Sequence, residues 1–318
     1  MHRSLAVLPL LALLVISPFG AHAACPDPVG GWGMAGSGPG QFHTPEAIVQ
    51  DPNGRWLVAD EGNGRVDIFD PVGNFLGQIG SFGYGPGQLA YPCGIAIGPD
   101  HRIYVSENQA HRVSVFDLAG NFTHTIGSEG AGPGQLYFPV AVSFSPAGDL
   151  YVADYGNNRI DVFRLDGTYV GNLGSYLLYG PYGVRVAPDG SIWVGEYIDG
   201  NRVLKFSSGG TLLAAFFGTP GQNFHAPEQV SFDASGNVYV MDTGNDRVCM
   251  FDPSMNFVCA FGSTGSGPEN LDVPTDGAFD SSGRIFITDY GNNRIRIWGF
   301  QPTPANHMTW GEVKARYR

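Results

Sequence analysis

Six carboxylates each stand five or six residues ahead of an arginine: Asp60 and Arg65, Glu107 and Arg112, Asp154 and Arg159, Glu196 and Arg202, Asp242 and Arg247, Asp289 and Arg294. Turn residues separate them, as in Asp154-Tyr155-Gly156-Asn157-Asn158-Arg159. A carboxylate beside a guanidinium can serve acid–base chemistry or anion recognition. Six copies of one catalytic pair are not needed, so the recurrence assigns these residues to the scaffold. Each acid is expected to accept backbone N–H groups of its tight turn, and each arginine to brace a neighbouring turn or pair with the acid.

The elements that carry these pairs repeat with them. Arginines at positions 65, 112, 159, 202, 247 and 294 give intervals of 47, 47, 43, 45 and 47 residues. Such a period, with several short apolar strands per unit, is that of propeller blades. Each unit opens on a proline (Pro45, Pro92, Pro139, Pro181, Pro227 and Pro274) and passes through an Asp/Asn/Gly turn into a second strand. The acidic turn and the arginine follow, then a third strand, a hairpin turn and a fourth strand ending in a glycine-rich run. The fold class is all-β: a six-bladed β-propeller of four-stranded antiparallel blades. The sixth unit stops after Trp298, and Val29-Gly30-Gly31-Trp32-Gly33 matches the end of a unit. The N-terminal segment is therefore predicted to close the last blade and remove two open edges.

Functional information lies where the register holds and the residues differ. The turn between strands two and three shares a face with the connection into the next strand one. Two residues before each proline stand His43, Ala90, Tyr137, Tyr179, His225 and Asp272. One residue after it stand Glu46, Cys93, Val140, Tyr182, Glu228 and Thr275, with Asp276 one further on. Blades five, six and one thus collect an acidic, imidazole-bearing arc of His225, Glu228, Asp272, Asp276, His43 and Glu46. An aromatic arc of Tyr137, Tyr179 and Tyr182, with Arg185, is expected to face it across a pocket. This rim is the candidate ligand- or partner-binding site. His43, His225 and Asp272 are the candidate metal ligands, although histidines two blades apart share an ion only if both backbones lie within about 7 Å of the axis. A divalent cation is the one cofactor to consider. Cys93 has no histidine in its own rim unit and reads as a packing residue.

The repeats resemble the NHL repeat, whose blades run roughly P-x-G-[IV]-A-[IV]-D-x-x-G-N-[IV]-Y-V-A-D-x-x-N-x-R-[IV]-x-x-F. The resemblance runs from about Val29 to Trp298. It is closest in unit three (Pro139, Asp149 to Asp154, Asn157, Asn158, Arg159, Phe163) and departs in units two and four, where Glu107 and Glu196 replace the aspartate. It implies a six-bladed propeller that binds partners through its rim. Related six-bladed propellers include lyases and sugar lactonases with a metal on the ring axis. The lyase likeness does not carry over residue by residue, because no three histidines occupy equivalent places in three blades.

The bulk composition bounds the setting. His2 and Arg3, an apolar run from Leu5 to Ile16 and Ala21-His22-Ala23 describe a signal peptide over residues 1–23. The propeller then occupies 24–300, and 301–318 form a linker and a basic tail ending Lys314-Ala315-Arg316-Tyr317-Arg318. Export to the periplasm or medium is expected, with lipid anchoring at Cys25 the lesser alternative because His22 stands where an aliphatic residue belongs. No later run is long and apolar enough for a transmembrane segment. The chain has 17 Lys+Arg against 29 Asp+Glu. That acidity argues against nucleic acid as a partner. Cys249 and Cys259 flank a hairpin turn and are the candidate disulfide. The expected function is that of a monomeric, exported binding or scaffold module for a protein or small ligand. The alternative is a metal-dependent lyase- or lactonase-type enzyme acting at the central mouth.

Overall fold

The computed structural model describes residues 25–197 and 200–300; the expected signal peptide 1–23 and the expected basic tail 301–318 lie outside the described residues. Six four-stranded antiparallel sheets form the ring. In blade one, Pro45–Gln50, Trp56–Asp60, Arg65–Phe69 and Phe75–Ile79 pair in chain order, and blades two to five repeat this from Pro92, Pro139, Pro181 and Pro227. First strands of neighbouring blades touch all round the ring, so they line the axis.

Burial follows from that placement. Second strands such as Trp56–Asp60 and Leu150–Asp154 are covered along their whole length, and they are correspondingly apolar. The outermost strand Phe75–Ile79 alternates between half-buried and exposed positions up to the buried Ile79. The core is divided among the seams between blades. Leu57, Ala59 and Val66 of blade one pack on Ile95, Ile103 and Val105 of blade two. The last seam joins Phe286 and Ile295 of blade six to Ile48, Trp56 and Phe69 of blade one.

Closure is as expected. Asp27–Trp32 runs antiparallel beside Arg294–Gly299 and completes the sixth sheet, with Gly31 opposite Arg296.

The cysteine pairing is not. Phe251 and Phe257 do face one another across their hairpin, but a bulge after Met250 shifts the register by one residue. Met250 therefore opposes Cys259, and Cys249 opposes Ala260. Alternation along the strand sends the two cysteines to opposite faces of the sheet. Cys249 is buried as a free thiol in the seam between blades four and five. Cys259 is bonded instead to Cys25, just ahead of the closing strand, with the Cα atoms 5.8 Å apart.

The acid–arginine pairs fasten the blades, by a route that differs in detail from expectation. Each acid accepts the N–H of the residue two before its blade's opening proline: His43 to Asp60 at 2.7 Å, Ala90 to Glu107 at 2.9 Å, Tyr137 to Asp154 at 2.7 Å. Tyr179, His225 and Asp272 donate likewise to Glu196, Asp242 and Asp289. The carboxylate thus anchors the lead-in to the first strand and pairs with the arginine at 2.5–3.2 Å in all six blades, joined in four of them by the asparagine three residues on. The arginine also donates to carbonyls of the preceding glycine-rich connection, as Arg159 does to Ala131, Gly132 and Gln135.

Two left-handed residues per blade shape the mouth. One precedes each arginine (Gly64, His111, Asn158, Asn201, Asp246 and Asn293), and one precedes each opening proline (Thr44, Tyr91, Phe138, Gly180, Ala226 and Val273). The second set includes β-branched and aromatic side chains, for which this backbone is unfavourable. Five of these strained N–H groups are held by a side chain of the first set from the preceding blade: Thr44 by Asn293, Phe138 by His111, Gly180 by Asn158, Ala226 by Asn201, Val273 by Asp246. Gly64 has no side chain to offer Tyr91.

Candidate functional site

The residues two before each proline form an outer tier, and they do not converge. With the backbone N–H tied to the blade acid, the side chains of His43, Tyr137, His225 and Asp272 lie over a glycine of their own turn. A Cβ on Gly62 would sit 2.5 Å from His43 Nδ1, and one on Gly244 2.4 Å from His225 Nδ1. Gly156 under Tyr137 and Gly291 under Asp272 repeat the contact. These glycines are required by close approach rather than by an unusual φ. The imidazole of His225 is further engaged by the Gly244 carbonyl at 3.0 Å.

His43, His225 and Asp272 are therefore each folded onto separate blades. Among the described residues no group of three or more His, Cys, Asp or Glu is placed to hold a metal ion. The residues expected as metal ligands do not fit one.

The residues after each proline form an inner tier, and these do converge. Glu46, Cys93, Val140, Tyr182, Glu228 and Thr275 line one axial cavity together with Asp276 and Arg185. Its free space is only about 20 Å³, room for a single water-sized group. Blades crowd closely here: a Cβ on Gly183 would lie 1.9 Å from the Glu228 carbonyl oxygen.

Arg185 does not stand in an arc facing the acids from a distance. Its guanidinium crosses from blade four to Asp276 of blade six at 2.8 Å, and its Nε donates to the Val230 carbonyl. The expected acidic and aromatic arcs thus meet at the axis, while Tyr137 and Tyr179 remain on the exposed outer tier.

A third set was not anticipated. The residues following each blade acid, among them Glu61, Tyr155, Tyr197 and Tyr290, come from the acidic turns and sit against the inner tier. The Tyr290 hydroxyl donates to Glu61 Oε2 at 3.1 Å, and Tyr155 and Tyr197 pack on the Tyr182 ring. Their signal in the sequence was their fixed position in the repeat, one place beyond an acid read as purely structural.

Electrostatically the inner tier is strained. Burial, and then the charge of Glu61, raises the Glu46 carboxyl well above the ordinary range; a hydrogen bond from Tyr182 offsets part of this. Burial, then Glu46, Glu61 and Asp276, raise Glu228 in the same way. Burial also raises Glu61, against hydrogen bonds from Tyr290 and Thr44. Asp276 is raised by burial and pulled back by Arg185. Burial and mutual repulsion both favour the protonated form of these carboxyls. The Cys93 thiol is likewise pushed up by burial and by these acids, which disfavours the nucleophilic thiolate.

Comparison with known proteins agrees with the repeat. The NHL repeat family matches at residues 136–163, the stretch of unit three. A curated relative, Protein lin-41 of Caenorhabditis elegans, is 45% identical over 53 residues, 17% of this chain; the match spans 5% of that relative's length. Among solved structures, virginiamycin B lyase from Staphylococcus aureus, in a catalytically inactive form with quinupristin, has a TM-score of 0.62 at 14% identity, over 87% of this chain and 99% of that one. A gluconolactonase from Xanthomonas campestris has a TM-score of 0.65 at 14% identity, over 88% and 98%. An auxiliary nutrient binding protein from Bacteroides ovatus has a TM-score of 0.61 at 15% identity, over 83% and 72%. At these identities the likeness is one of fold.

Proposed function

We propose that this chain, an NHL-repeat six-bladed β-propeller, is an exported binding module that takes a protein or ligand partner on its loop face. One observation carries the reading: an arc of exposed aromatic side chains on the connections that lead into blades two, three and four. Phe82 contacts Tyr84 and Tyr91 edge to face while all three stay exposed. Tyr137 stacks on His111 in the next connection, and Tyr176 and Tyr179 follow in the third, Tyr176 with 98% of its surface open. Large aromatics grouped in this way mark partner surfaces. Export is supported by the signal-like residues 1–23 and by the disulfide from Cys25, a bond that persists in oxidising compartments. The same bond occupies the thiol that lipid anchoring at Cys25 would need.

The test is capture by the mature protein from its native envelope or medium, beside a Tyr137→Ser/Tyr176→Ser/Tyr179→Ser variant. A partner held by the wild type and lost by the variant supports the reading; equal capture by both sinks it. Cell fractionation with detection of the processed N-terminus tests export.

The buried axial carboxylates favour a second reading, a metal-dependent enzyme of lyase or lactonase type. Against it stand free space too small for an organic substrate and metal-ligand candidates that do not converge. Stoichiometric divalent metal in the purified protein, with turnover of a lactone, would reverse this order.

A further inference from the structure

We propose that the axial well is a binding site for a primary ammonium group, the tip of a lysine side chain presented by the partner on the loop face. The inference rests on the binding-module reading above and supplies the chemistry of what is recognised.

The well is built of acceptors. Glu228 is buried, with 4% of its surface exposed, lines the axial cavity, and its Oε2 has no hydrogen-bond partner. An orphaned carboxylate oxygen of this kind costs free energy until a donor reaches it. Glu46 lines the same cavity and Glu61 acts on both through its charge. The nearby cation, Arg185, is already committed to Asp276. Among the described residues, Glu46, Glu61 and Glu228 have no ion pair with a lysine or arginine.

Size and geometry select the ligand. About 20 Å³ of free space admits a group the size of water, which an ammonium is and a guanidinium or trimethylammonium is not. A divalent ion would also fit by volume, but it needs oxygens converging at about 2.0–2.6 Å, and the carboxylates are not so grouped. An ammonium is satisfied at about 2.7–2.9 Å by three separately placed acceptors. Tyr182, backed by Tyr155 and Tyr197, supplies an aromatic wall suited to a cation and its alkyl stem.

Charge balance gives a signature. The groups facing the well are Glu46, Glu228, Asp276, Arg185, Tyr182 and Cys93, with Glu61 and Tyr290 beside them. Burial raises these carboxyls and a cation opposes their protonation, so binding is expected to release protons and to tighten as pH rises.

The experiment titrates the disulfide-intact mature protein with methylammonium chloride at fixed ionic strength, in two buffers of different ionisation enthalpy. Saturable heat with proton release is expected, together with an at least tenfold weaker response in Glu228→Gln. No saturation, or equal binding of tetramethylammonium, overturns the proposal; so does saturation by micromolar calcium or zinc, which would assign the well to a metal. The proton release needs no variant, so it decides the matter even if Glu228→Gln fails to fold. Acetyl-Gly-Lys-Gly-amide binding better than Gly-Gly-Gly-amide supports a lysine side chain as the source; the reverse overturns it in favour of a free N-terminus. Partner capture by the rim tyrosines is measured separately. Capture without methylammonium binding removes this inference alone, and methylammonium binding without capture removes the loop-face reading alone.

Discussion

The side-chain oxygen of Asn293 accepts a 2.8 Å hydrogen bond from the backbone N–H of Thr44, 249 residues away in sequence and next door in the ring. Thr44 is left-handed at φ 58 and Asn293 at φ 55, so two unfavourable residues stabilise each other across the seam between blades six and one. Asn293→Ala removes the acceptor and puts a less tolerant residue in the left-handed conformation. Together these are expected to cost about 2 kcal/mol. Asn293→Gly keeps the backbone and should cost about half as much. Urea denaturation of the three proteins checks the order; equal stability of wild type and Asn293→Ala would refute it.

The covalent closure has its own prediction. Cys25→Ser, Cys259→Ser and the double substitution are each expected to lower stability by the same 2–4 kcal/mol or so, because each removes the one bond. Cys249→Ser, in a seam where no bond exists, should change the peptide map of disulfides not at all. Mass spectrometry of unreduced digests would detect the 25–259 linkage directly, and a 249–259 linkage would contradict the register.

His43 resting on Gly62 predicts a coupled pair. Gly62→Ala drives a methyl to 2.5 Å from the imidazole and is expected to cost about 1–3 kcal/mol by overpacking. His43→Ala alone should cost much less, and the double variant should recover only the share due to the ring, because the methyl also meets the His43 carbonyl oxygen at 2.8 Å. A double-mutant cycle with no coupling would mean that the ring does not lie on the turn.

Asp67 and Asp161 give a pH dependence. Each stands beside a blade arginine, and burial pushes each up to about 7, Arg65 and Arg159 notwithstanding. A carboxyl raised above its unfolded value of 3.8 binds more protons folded than unfolded. Its penalty is absent below pH 4 and grows as pH rises to about 7. Asp67→Asn and Asp161→Asn should therefore flatten the melting profile between pH 4 and 7 and raise stability above it. Profiles parallel to wild type would contradict this.

The architecture was legible because it is written six times. Proline, acid and arginine recur in register, and averaging over copies suppresses local ambiguity. The free ends were also readable, since the glycines around Trp32 belong to the end of a unit and Trp298 leaves one unfinished. What recurrence could not convey was anything occurring once. The bulge at Met250 separates Cys249 from Cys259, and nothing near those cysteines announces it. Arg185 reaching across to Asp276 depends on how near opposite blades come at the axis, a distance that no spacing along one strand encodes. Glu46 and Glu228 were found by register, while Glu61 was passed over because it abuts an acid already assigned a structural duty.

The closure by Asp27–Trp32 has a consequence in time. The first strand of the folded protein to leave the ribosome pairs with the last, so for most of synthesis it has no sheet to join. Five blades can form as they emerge, each leaning on its predecessor, but the circle exists only once residue 299 is free. Until residue 259 emerges the cysteines available to Cys25 are Cys93 and Cys249, neither of them its native partner. An oxidising compartment that received the chain piecemeal would test this molecule at its weakest point; one that received it whole would find the correct thiol already delivered.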